Sequence, residues 1–145
     1  MLPNMKLEYK LIGMDIPQFA ILKDEIFDHP LQIENGINYS TSDPLKAIKC
    51  SFQAVYSDGD EMVMKMTMDL AFELSEASWQ SLRGDNGDTI IPKDFLWHLG
   101  TLTIGAARGA LFVSTKNTNL NSLSLPLVDL TTIINNDMVI KGKRV

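Results

Sequence analysis

The sequence predicts an α+β domain in which antiparallel strands come first and one long helix follows. Apolar residues alternate at period two through residues 48–74, and they recur at helical spacing from Phe95 to Val113. A length of 145 residues suits a single domain, residues 1–145, and 45% apolar with 21% charged residues is a globular composition, not a disordered one.

The elements follow in order. Leu7, Tyr9 and Leu11 alternate with Lys6, Glu8 and Lys10, a half-buried strand. Gly13 and Pro17 place a bend or bulge in it before residues 19–22 resume. Asp28-His29-Pro30 reads as a turn, residues 31–39 as a second strand broken at Gly36, and residues 40–44 as another turn. Ile48, Cys50, Phe52, Ala54 and Tyr56 then share one face of a long strand. Met62, Met64, Met66, Met68, Leu70, Phe72 and Leu74 share one face of the next, so both have a wet and a dry side.

Residues opposed across a hairpin share a face, so a two-residue loop at Asp58-Gly59 would mix the two faces. The odd loop Asp58-Gly59-Asp60 keeps them apart, pairing Tyr56 with Met62 and Phe52 with Met66.

Residues 75–88 read as a loop with room for one helical turn. Pro92 suits a first helical position and Asp94 a first turn, with Lys116 near the far end. Phe95, Leu99, Leu102, Ala106 and Val113 line one side of the helix through about six turns. Gly100, Gly105 and Gly109 interrupt it, each at a cost of about 1 kcal/mol relative to alanine. Gly105 and Gly109, beside Ala106 and Ala110, make a smooth stripe that lets another backbone approach. That backbone is either this chain's own sheet or a second copy of the helix. Residues 117–121 form a polar loop. Pro126 bars its apolar segment from a central strand, and Asp129 caps a short helix over residues 130–134.

Chemistry is thin. A net charge of −5 argues against nucleic acid as a partner, and the basic cluster Lys141, Lys143 and Arg144 sits at the tail. No apolar run has the length of a membrane span, none at the start has the length of a signal peptide, and a single cysteine fits a reducing compartment. The expected address is the cytoplasm. His29, His98 and Cys50 are not at metal-ligand spacing, neither acidic loop has the calcium-loop pattern, and Gly105-Ala106-Ala107-Arg108-Gly109 is no phosphate loop. Neither a catalytic set, a metal nor a cofactor is expected. The methionine row stands apart, because unbranched, polarizable side chains repack against many shapes. Phe52, Tyr56, Met62, Met64, Met66 and Met68 are therefore either a pliable face for binding polypeptide or the core beneath the helix.

Strands, then a long helix ending in Arg108-Gly109, then Leu125-Pro126-Leu127-Val128-Asp129-Leu130, with Asp15-Ile16 after the first strand, form an order that resembles the SecB-like family of export chaperones and their relatives. The resemblance implies a strongly bent antiparallel sheet of about four strands backed by one long helix. It also implies a homodimer or homotetramer that holds unfolded or extended polypeptide on an apolar groove without ATP or metal. Gly105, Arg108, Gly109, Pro126 and Asp129 would have structural roles, with Arg108 bonded to a carboxylate or to loop carbonyls. Leu96 departs from the family, whose main helix tends to open with proline, and the link from Gly109 to Pro126 is longer here. A module for one dedicated protein partner, and a domain for an apolar small molecule or lipid, are the alternatives.

Overall fold

The computed structural model describes residues 6–123 and 125–142; Lys143 and Arg144 of the basic cluster, Ser124 of the proline segment and residues 1–5 lie outside them. Four strands, β1 (Tyr9–Ile21), β2 (Gln32–Ser42), β3 (Ala47–Asp58) and β4 (Glu61–Leu74), form one sheet in the order β1-β4-β3-β2, antiparallel at each pairing. A short helix α1 (Glu76–Ser81) is capped by Ser75, whose hydroxyl accepts from the Ser78 amide. Strand β5 (Thr89–Ile91) leads into helix α2 (Lys93–Ser114), and α3 (Leu130–Ile133) and β6 (Met138–Ile140) follow. β5 pairs with β6 in a small second sheet that three-residue strands gave no periodicity to reveal. The fold is α+β, a four-stranded antiparallel sheet with one long helix.

Local chemistry explains most boundaries. β1 passes through both expected irregularities, with register shifts between Leu11 and Gly13 and between Asp15 and Gln18, the second spanning Pro17. β2 is not broken at Gly36, which pairs with Gln53, and it runs through Ser42 before the turn. Pro92 caps α2 from just outside instead of filling its first position.

The hairpin β3–β4 corrects the expected register. Its loop has two residues, Gly59 and Asp60, with Gly59 at a φ of 60°. The extra residue lies in the strand: Ser57 pairs with Met62, Tyr56 with Met64 and Phe52 with Met68, so Val63 is bulged. The bulge supplies the odd residue that keeps the faces apart. Val63 turns inward with Met64, and Met62 falls out of the row at 40% exposure.

α2 lies over β3 and β4. Its buried side is Leu96, Leu99, Gly100, Thr103, Ile104, Ala107 and Leu111, rotated from the expected stripe. Of that stripe only Leu99 is buried; Leu102 and Val113 are exposed. Gly100 and Thr103 disguised the true core side, the first by having no side chain and the second by hiding its hydroxyl in a bond to the Leu99 carbonyl. The close approach also falls at Gly100, where an added Cβ would sit 2.6 Å from Leu130 Cδ1 and 2.7 Å from the Tyr39 hydroxyl. At Gly105 and Gly109 it would meet nothing within 4 Å, so the two glycines of that stripe do not face this chain's own sheet, while Ala106 and Ala110 pack against the core.

Candidate functional site: an apolar groove between the edge strand and the long helix

Placing α2 over β3 and β4 decides what the methionine row does. Phe52, Tyr56, Met64, Met66 and Met68 are all buried in the core with Ile48, Leu70, Phe72 and the inner side of α2. As a docking face, the row is corrected: it is closed by this chain's own helix, and Met62, its exposed member, lies beyond the bulge. Burial pushes the Tyr56 phenol up to about 12, against the lowering influence of Arg108. Burial likewise raises the Cys50 thiol pKa, which leaves it the wrong form for a nucleophile.

β1 is an edge strand, as β2 is, and α2 meets it at Tyr9 but leaves Met14 and Ile16 exposed. Met14 pairs with Leu70 and so points to the inner side of the sheet, yet it is 60% exposed. Met14 and Ile16 form one wall of a groove of about 620 Å³. The opposite wall is the flank of α2: Ala106, Gly109, Ala110 and Val113, the last 66% exposed. Met68 lines the groove between the walls. Met68, Gly109, Ala106, Ala110, Val113 and Ile16, named in the sequence for different reasons, thus meet at one site, and Met14 completes it. The signal for Met14 was present as alternation from Ile12 to Ile16, but the bend at Gly13 masked it.

Beyond the lined stretch, β1 and the chain after it are tied to α2 and its following loop. At one end Tyr9 packs edge-on against Phe72 and Phe95, and its hydroxyl is hydrogen-bonded to His98 Nε2. At the other end the chain leaving β1 crosses to the loop after α2, where Asp24 Oδ1 accepts from the Asn119 amide at 2.8 Å. Between these ends β1 and α2 run side by side. Asp15 brings the one carboxylate among the lining residues, and Ser114 the one hydroxyl, so the groove suits apolar side chains.

The segment carrying the family resemblance braces the helix. Arg108 Nη2 donates to the Pro126 carbonyl at 2.9 Å, and the Asp129 carboxylate accepts from the Thr131 amide and hydroxyl at the start of α3. Gly105 opens to solvent on the same flank of α2. Among the described residues there is no group of three or more histidine, cysteine or acidic side chains able to hold a metal ion. No helix among them is long and apolar enough to cross a membrane.

No family model matches the chain, and no curated protein matches it. Two solved structures are similar to it. One is a SecB-like chaperone of Mycobacterium tuberculosis in complex with a ChAD peptide from the HigA1 antitoxin, 10% identical, with a TM-score of 0.49 over 84% of this chain and 91% of that one. The other is a protein of unknown function from Streptococcus agalactiae, 9% identical, with a TM-score of 0.42 over 86% of this chain and 100% of that one.

Proposed function

We propose that the chain is a non-enzymatic, chaperone-like protein that holds an extended polypeptide segment in the groove between β1 and α2, without ATP. The observation that carries this reading is the open apolar groove beside an edge strand. An extended segment can seat alternate side chains between Met14 and Val113 while its backbone pairs with the free edge of β1. The register shifts of β1 limit such pairing to short stretches on either side of Asp15, so side-chain burial in the groove carries most of the affinity. Methionine at the wall, Met14, gives tolerance of many side-chain shapes.

The occupant is unfolded polypeptide or one dedicated protein. A small apolar ligand fits less well, because the exposed walls leave much of such a molecule in water. Assembly as a homodimer or homotetramer belongs to the same proposal, supported by the unfilled surface at Gly105 on the groove's helix. Residence in the cytoplasm is supported by the lone cysteine, Cys50.

Fluorescence anisotropy with a labelled extended peptide of alternating apolar and polar residues tests the groove. Binding to the native chain, lost at least about tenfold in Met14→Asp and in Val113→Asp, is the expected result. Equal binding by all three proteins, or none by the native chain, refutes the site. A panel of unrelated peptides separates general from dedicated binding, and light scattering gives the assembly size.

A further inference from the structure

The connection from β1 to β2, residues 22–31, is fastened at three places. The Leu22 and Lys23 amides donate to the Val63 carbonyl, and the Lys23 ammonium pairs with Glu61 on the hairpin. Asp24 binds Asn119 beyond α2 through both its carboxylate and its carbonyl. His29 sits between two carboxylates, Nδ1 at 2.9 Å from Asp28 and Nε2 at 2.9 Å from Asp58 at the end of β3. Phe27, edge-on to the His29 ring, packs against the core. Asp24 and Asn119 thus tie the chain leaving β1 to the loop after α2, past the Ile16 and Ser114 end of the groove.

We propose that residues 22–31 are a strap over the end of the groove whose hold is set by protonation of His29. A neutral imidazole has one N–H and can satisfy only one carboxylate, turning a lone pair toward the other; the protonated ring donates to both. The charged groups facing the ring are Asp28 from the strap and Asp58 from β3, both acidic. Lys23, already paired with Glu61, also lies within electrostatic reach of Asp58 and of Glu25. The bond to Asp28, then that to Asp58, raises the His29 pKa above 6.5. A raised value means the contribution is complete below 6.5 and is lost as pH rises through the shifted value. The same bond holds the Asp28 carboxyl below its usual range, so that partner keeps its charge in mild acid. The strap therefore closes in mild acid and slackens as pH rises through the raised His29 value. Its role as a gate rests on the groove holding polypeptide; its response to pH does not.

Hydrogen exchange on the free, full-length protein tests the strap, comparing native chain with His29→Gln at each pH so that intrinsic exchange cancels. Amides of residues 23–31 should exchange about fivefold or more slowly in the native chain at about pH 6, with the ratio falling toward one at about pH 9. In an NMR titration His29 should titrate above 6.5, and Asp58→Asn should bring it back down. A ratio that is the same at both pH values overturns the proposal. In a second arm, the alternating peptide should associate faster at the higher pH with the native chain and show no such change with His29→Gln. A strap that responds while no peptide binds would refute the gate and the groove but leave the switch standing.

Discussion

Met66 on β4 and Met14 on β1 belong to adjacent strands and face the same side of one sheet, yet the first is buried in the core and the second stands 60% exposed. Residue type and strand periodicity are alike at the two places. The difference is the helix above: α2 rests on β3 and β4 and, though it meets β1 at Tyr9, leaves Met14 uncovered. Whether an apolar strand face becomes core or binding surface is thus decided one level above the strand, by where the helix lands. In this chain Gly100 allows that landing, since it brings α2 close to Ile37, Tyr39 and Leu130 over the β3 side.

The contrast can be broken at its covered half with the largest effect. Phe52→Ala empties a fully buried site and should lower stability by about 3–5 kcal/mol, measured by urea denaturation. Next comes the contact that seats the helix. Gly100→Val should cost about 1–3 kcal/mol by overpacking, because Leu130, Tyr39 and Ile37 would all have to move. Gly105→Ala, one and a half turns further along the same helix, should do the reverse and stabilise by about 0.5–1 kcal/mol, since nothing near it must move. The sign difference between those two glycines, read from thermal midpoints, is the sharpest check on the orientation of α2. The smallest stability effect belongs to the open half: Met14→Asp should change unfolding free energy by less than about 0.5 kcal/mol while abolishing peptide binding. If Met14→Asp unfolds the protein, the two halves are not as different as their exposure indicates.

The same contrast marks what the sequence could disclose. The long strands were legible because alternation through Ile48–Tyr56 and Met64–Leu74 is a backbone property that needs no partner. The parity argument for their hairpin was sound, but the odd residue lies at Val63. The three consecutive apolar residues Met62, Val63 and Met64 were its local trace. The extent of α2 was readable from its apolar repeat, whereas its buried side was not, because Gly100 and Thr103 do not count as apolar in a periodicity. The helix carries two adjoining apolar stripes, and only tertiary placement tells which is covered. The groove was out of reach for that reason: Met14 and Val113 are 99 positions apart in number and become neighbours only when strand and helix are laid side by side. Arg108 and Pro126 were singled out by likeness to the SecB-like family, and the bond between them is a matter of loop closure that spacing does not state.

The bulged Val63 has a further consequence for how this chain can vary. Its carbonyl receives the amides of both Leu22 and Lys23, so the extra residue in β4 is also the mooring of the segment that leaves β1. Deleting a single position there would swing the tip of the hairpin inside out and strand two amides on a different part of the chain. Paired changes of two residues, one on each arm of the hairpin, would preserve both. Natural length variation at this tip should therefore come in even steps.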